Sequence, residues 1–286
     1  MADVTISGLN DLTPQGSLYV PISNGSTTGK ATIASLQVNY NNITNKPTLP
    51  IPVVMDVLVV GGGGSGGNGY PDQSGAGGGG GVISYTNYNL YPGTYYVIVG
   101  SGGYSIGNSY SRNNGSNSMV YGGNPAVNII AYGGGAGAAA RSQTGNDGGC
   151  GGGGGDFSGV GGKGIFGQGF NGGTSGSGGG TVECPGGGGG AGGAGGNCTG
   201  GLGIFSSITG TSLQYASGGT ANASLNYAAP NTGNGGYSNG TPGGSSGVVI
   251  FAYQGTGKAT GGIVSTTSRP GWTVHRFTSD GTFIVN

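Results

Sequence analysis

The sequence predicts an all-β protein: an antiparallel, sandwich-like body with long glycine-rich, polyglycine II-like segments, preceded by a small glycine-poor module. Three observations lead there. Strings of β-branched and aromatic residues lie between Gly and Pro punctuation, the pattern of strands. Charged residues are only 6% of the chain and formal net charge is zero, whereas disordered chains combine low hydrophobicity with high net charge. Glycine supplies 77 of the 286 residues. Each loses much backbone freedom on folding, so a folded chain of this kind uses glycine to bring backbone close to backbone.

Residues 1–50 are glycine-poor and contain Val4-Thr5-Ile6, then Ser17-Leu18-Tyr19-Val20-Pro21-Ile22. Asn24-Gly25 is a favoured hairpin dipeptide, and Thr32-Ile33-Ala34-Ser35-Leu36 follows as a strand or a helical turn. Asn45-Lys46-Pro47-Thr48-Leu49-Pro50 closes the module. Its two prolines hold the preceding residues extended, so it reads as a stiff linker.

Residues 51–254 form the glycine-rich body. Val53 to Val60 is a clear strand. Further strands are expected at 82–85, 94–99, 126–132 and 248–253, with Tyr91-Pro92-Gly93-Thr94 as a turn. Residues 133–247 offer only isolated apolar anchors: Phe157, Ile165, Phe166, Phe170, Ile204, Phe205 and Leu213. A structureless loop of that length does not suit a compact domain. Two readings stand: three-fold extended helices packed side by side and bonded to one another, or flexible surface coil. Residues 255–286 read as a C-terminal β-hairpin segment, with strands at Ile263-Val264, 272–277 and 282–285 and a tight turn at Ser279-Asp280-Gly281.

Composition excludes several classes. The glycines have no three-residue sequence period and prolines number only 12, unlike collagen. The absence of a basic surplus disfavours nucleic-acid binding. No apolar stretch reaches the ~18 residues that span a bilayer. Met1-Ala2-Asp3-Val4-Thr5 has neither a basic nor an apolar signal region. Cys150, Cys184 and Cys198 are odd in number and lack zinc-site spacing. Isolated thiols are the first expectation, and a Cys184–Cys198 disulfide is the alternative. No metal or cofactor is expected.

Catalytic patterns are weak. Gly61, Gly63 and Gly66 satisfy a dinucleotide-binding spacing, but no helix and no acidic residue follow where that motif needs them. Gly25 to Ala31 is one residue short of a phosphate loop, and Ala31 replaces its metal-holding hydroxyl. His275, the single histidine, sits in an alternating strand with no nucleophile signature nearby. The scattered carboxylates disfavour a glycosidase pair. An enzyme is not expected, because active sites concentrate titratable groups.

The 16 tyrosines read differently. Tyr95, Tyr96 and Tyr253 lie in strands and read as structural. Tyr70, Tyr104, Tyr110, Tyr215, Tyr227 and Tyr237 lie among Gly, Ser and Asn, the composition of adaptable recognition loops. These six are candidate receptor-binding residues; the alternative is that their rings cover glycine backbone.

Leu18 to Leu36 resembles a short module near the start of bacteriophage tail-fibre proteins, and Tyr40 to Pro50 resembles a linker recurring in them. Val57 to Gly64, Tyr91 to Gly100 and Gly247 to Ile250 resemble their glycine-rich domain, and Ala259 to Phe283 is similar to a segment that accompanies it. The resemblance implies a trimeric fibre or receptor-binding protein of the virion. Its N-terminal region would attach to other tail-fibre or baseplate proteins, with Asn45, Lys46, Pro47 and Leu49 as linker or oligomer residues. The glycine-rich body would meet a host-surface receptor, with a glycan as a candidate. A non-receptor connector and a polysaccharide depolymerase are the alternatives.

Overall fold

The computed structural model describes residues 19–23, 28–32, 50–69, 73–105, 112–176, 184–221, 228–238 and 243–286. The chain divides into two units, Met1–Leu49 and Pro50–Asn286. In the first, β1 (Tyr19–Ser23) and β2 (Thr28–Thr32) pair antiparallel, from Tyr19 opposite Thr32 to Ser23 opposite Thr28. The second strand therefore starts earlier than expected, inside the stretch that mimics a phosphate loop. Asn24-Gly25, residues 33–36 and the linker residues Asn45, Lys46, Pro47 and Leu49 lie outside the described residues.

In the second unit the strands are β3 (Val53–Val60), β4 (Val82–Leu90), β5 (Gly93–Ile98), β6 (Ser118–Gly122) and β7 (Val127–Ala131). After them come β8 (Ile204–Ser206), β9 (Leu213–Tyr215), β10 (Val248–Gln254), β11 (Ala259–Thr260), β12 (Ile263–Ser265), β13 (Trp272–Phe277) and β14 (Gly281–Val285). One five-stranded antiparallel sheet has the order β12-β13-β10-β3-β4 and a second has β11-β14-β5-β6-β7, while β8 and β9 form a short ribbon. The described residues contain no α-helix.

The two large sheets stack over a core of alternating side chains. Met55, Val57, Val59, Val249, Phe251 and Tyr253 meet Tyr95, Val97, Val120 and Phe283 from the facing sheet. The Phe251 and Phe283 rings stack with centroids 4.1 Å apart, and Phe277 meets both edge-on. β3 and β10 are also buried on their second face. There Leu58, Val60, Ile250 and Ala252 pack under Ile208, Tyr215 and Ala216. Burial on both faces explains why Val57–Val60 and Val248–Tyr253 read as unbroken apolar runs rather than alternating ones.

The C-terminal strands do not form the expected hairpin. β13 pairs with β10 and β12, whereas β14 pairs with β5 and β11. The turn between them crosses from one sheet to the other, and the alternating pattern of both strands faces the shared core. His275 is fully buried. Its Nδ1–H donates to the Gly261 carbonyl at 2.7 Å, which leaves Nε2 to accept from the Tyr253 hydroxyl at 3.3 Å. Ala259 N–H donates to that hydroxyl in turn. The single histidine is thus a fully bonded neutral core residue.

Between the strands run the glycine segments, and they are ordered. Residues 75–81 show the rule. The amides of Gly75, Gly78 and Gly81 donate to Ala138, Gly135 and Tyr132; those of Ala76 and Gly79 to Gly186 and Gly189; those of Gly77 and Gly80 to Gly236 and Gly233. Every third residue therefore addresses the same neighbour, as in a helix with three residues per turn and no internal bonds. The carbonyls repeat the rule. Those of 75, 78 and 81 accept from Gly67, Gly64 and Gly61, those of 76 and 79 from Gly153 and Cys150, and that of 77 from Gly219. One segment is thus ringed by six, donating to three and accepting from three. This resolves the two readings of residues 133–247 in favour of packed extended helices, joined by turns and by the β8–β9 ribbon, among the described residues. Every amide of residues 75–81 is paired in this way, which is the condition for an interior made of backbone.

Candidate functional site

The glycine helices prolong the strands. Residues 61–67 leave β3 and residues 75–81 return to β4; residues 99–103 leave β5 and 112–117 return to β6; residues 132–138 leave β7; residues 243–247 return to β10. Their turns therefore gather at the end of the bundle opposite the sheets. Cross-links between turns bear this out. Ser74 Oγ donates to the Ala139 carbonyl at 3.3 Å, Arg112 Nη1 to the Thr144 carbonyl at 2.8 Å, and Gly244 N–H to the Gly103 carbonyl at 2.8 Å.

Two of the six candidate tyrosines are found at this end. Tyr104 is 59% exposed, and its carbonyl accepts from Asn113 Nδ2 at 2.8 Å. Tyr237 is half-buried, with its carbonyl seated where a Cβ on Gly66 would stand. Tyr215 is corrected. It lies in β9, not in a loop, and is 3% exposed under the β3–β10 face. Burial raises its phenol pKa. Its neighbours Gln214, Ala216 and Ser217 are polar or small, so its local composition imitates a loop. Tyr70, Tyr110 and Tyr227 lie outside the described residues.

The same end carries groups that sequence reading missed. Arg141 lies 4.0 Å from the Phe157 ring centroid, with its Nε 3.4 Å from Oδ2 of the buried Asp156. Ser142 N–H donates to the Asp156 carbonyl and Ser142 Oγ to the Phe157 carbonyl, clasping the 139–144 and 156–158 turns together. Ser142, Phe157 and Ser158 have φ of 56°, 53° and 66°, a left-handed conformation uncommon for residues with side chains. Phe157, one of the isolated apolar anchors of the sequence, is exposed at this turn, and so are Phe166 and Phe205 elsewhere. In a bundle whose interior is backbone, an aromatic residue has no room inside except where a strand supplies it.

Cys184 and Cys198 form a disulfide, with Cα atoms 5.3 Å apart, and Cys150 is free. The first expectation, three isolated thiols, is thereby corrected. Residues 193–197 pack against 184–190, bringing two cysteines 14 positions apart into reach of each other. The Cys150 thiol is buried beside the Gly80 carbonyl, and desolvation pushes its pKa up to about 12, far from a reactive thiolate. No group of three or more His, Cys, Asp or Glu that could hold a metal occurs among the described residues.

The site is thus a platform of turns on a rigid backbone lattice, furnished with aromatic, amide and guanidinium groups. Such groups bind by stacking and hydrogen bonding. A model of a glycine-rich domain matches residues 44–271. The chain belongs to this glycine-rich domain family. The match begins in the linker and spans the glycine helices and most strands of the second unit. Comparison with curated proteins and with solved structures finds no match.

Proposed function

We propose that the protein is a bacteriophage tail-fibre protein that recognises the host surface with the turns at the far end of its glycine bundle. The observation that carries this reading is the bundle itself. Its helices are cross-bonded to as many as six neighbours, and their described interior is mostly glycine backbone. What such a lattice supplies is a stiff base for the turns it ends in. Those turns carry Tyr104, Tyr237, Arg112, Asn113 and the Arg141–Phe157 pair. Tyr gives rigid amphipathic contact area at low entropic cost, and Asn and Ser supply adaptable hydrogen bonds. With formal charge at zero, recognition rests on stacking and hydrogen bonding rather than on long-range steering. The N-terminal unit then serves attachment to the virion. The six-residue set proposed from sequence becomes Tyr104 and Tyr237 among described residues, without Tyr215.

The test is adsorption of purified protein to host cells. Tyr104→Ala with Tyr237→Ala is expected to lower cell binding by at least about tenfold, the size of a lost hot-spot pair, with unchanged thermal unfolding. Full binding by the double variant overturns the assignment of the turns. A virion-bound protein whose far end is buried in the tail overturns the receptor reading in favour of a connector.

A further inference from the structure

A groove opens on the first large sheet at the end where β3 begins, opposite the end where Gly61 starts the glycine helices. Two clefts form it, of about 540 and 270 Å³, and Asp56 is in the wall of both. A β-bulge sets Asp56 there. Met55 lies opposite Tyr88 and Val57 opposite Tyr85, so two residues of β4, Thr86 and Asn87, face Asp56 alone. Asn87 takes φ 56°, and its N–H donates to Asp56 Oδ1 at 3.3 Å. Arg269 Nη1 donates to Asp56 Oδ2 at 2.8 Å, and the guanidinium carbon lies 3.4 Å from the Trp272 ring centroid. Bulges re-aim side chains and are over-represented beside active sites. The chain has only eight basic and eight acidic residues, yet Asp56, Arg269 and Lys258 all line these clefts. Stability does not account for the ion pair. It is partly exposed, so it adds little, and the next residues on the same face of β3, Leu58 and Val60, are apolar core.

We propose that this groove is a binding site for a neutral saccharide, separate from the turn platform. A sugar ring has an apolar C–H face and a rim of hydroxyls, and the groove offers a partner to each. Tyr85, 39% exposed, and Phe205, 70% exposed, supply ring surface in the smaller cleft. Tyr85 is braced by stacking on Tyr88, with centroids 4.9 Å apart. Asp56 and Arg269 supply the polar partners, a carboxylate that accepts from one hydroxyl and a guanidinium that donates to the next. Arg269 has five N–H donors and gives one to Asp56, and bonds to charged groups are the stronger ones. Ser84 and Ser206 in the smaller cleft, and Asn87 and Gln254 in the larger, add neutral bonding groups along the groove. The Asp56 carboxylate repels an anionic ligand, and a purely apolar ligand would desolvate the ion pair without bonding to it. Asp56 is the one carboxylate among the described lining residues. Glycoside cleavage uses a pair, so the groove holds a sugar rather than cutting it. The site goes beyond host recognition by the turns, because it lies on the sandwich and shares no residue with them.

The test is an array of neutral and acidic mono- and oligosaccharides probed with the full chain, followed by titration with the sugar that binds best. Trp272 is the only tryptophan and lies under Arg269, so its fluorescence reports occupancy of the groove. A neutral sugar is expected to bind and to change that fluorescence saturably. Asp56→Asn is expected to weaken binding by at least about tenfold, the size of one hydrogen bond to a charged group. Phe205→Ala should weaken it similarly, and because that ring is largely exposed the variant should keep the wild-type melting point. Tyr104→Ala with Tyr237→Ala should bind the sugar as the wild type does. An array with no bound sugar, or with acidic sugars alone, overturns the proposal. So does sugar binding that Asp56→Asn and Phe205→Ala leave intact, or that the Tyr104 and Tyr237 substitutions abolish, which would place the sugar elsewhere or on the turns.

Discussion

At the residue scale, chemistry in this protein is set by what the lattice leaves room for. His275 is the clearest case. Burial lowers its pKa from the ordinary 6.5, and the bond to the Gly261 carbonyl acts in the opposite direction. The unfolded chain therefore binds a proton more readily than the folded one. Stability from this site is complete above the unfolded pKa of about 6.5 and declines as pH falls below it, levelling off below the folded pKa. Urea midpoints should fall between pH 7.5 and pH 5. In His275→Gln that part of the pH dependence should disappear, although the variant is less stable at both pH values. An equal fall in the variant would assign the dependence to carboxylates. Cys150 gives a second prediction at this scale. With its thiol buried, native protein should react with a thiol reagent at a rate limited by unfolding, and denaturation should release one fast thiol while Cys184–Cys198 stays closed. Fast labelling of the native state would contradict that burial.

At the element scale, the glycine helices behave as packed secondary structure whose packing groups are peptide units. Gly188 bonds through its backbone to residues 201 and 219, and a Cβ there would stand 1.9 Å from the Gly77 carbonyl oxygen. A backbone atom cannot rotate aside, so Gly188→Ala must push helices apart and break bonds at about 1 kcal/mol net each, more where a group is left unpaired. The expected loss is on the order of 3 kcal/mol. Gly193→Ala is the control, since the nearest atom to its Cβ is 3.6 Å away; its melting point should move by no more than a degree or two. Comparable losses in the two variants would mean that glycine acts here through flexibility rather than close approach. The sequence made the strands legible because β-branched runs such as Val53–Val60 carry a periodic or continuous apolar signal. It did not make the helix partners legible. A glycine has no side chain to show which way it faces, so Gly77 and Gly78 look alike although they bond to different neighbours. Tyr215 was misplaced for a related reason. Short β9 has no periodic stretch around it, and only its packing under β3 and β10 reveals it as core.

At the scale of the whole second unit, two kinds of order meet end to end. A side-chain core holds the sheets together, and a backbone lattice continues them to the turn platform. The lattice has almost no side-chain core, so its stability depends on interhelix bonds being formed together. Residues 75–81 are bonded on every side and belong to its centre, whereas residues 156–158 form an outer turn. Hydrogen exchange should therefore show slow amides at 75–81, comparable to those of β10, although those residues form no strand. Exchange at the 156–158 turn should be faster by several orders of magnitude, as for locally opening loops. The contrast matters for the proposed function. A platform that presents Tyr104 and Tyr237 on a stiff base need order only the turns themselves on binding, so less conformational entropy opposes association. If the 75–81 amides exchanged as quickly as the turn amides, the bundle would be mobile in solution. Its turns would then be tethered loops, and the stiffness on which the recognition reading relies would be lost.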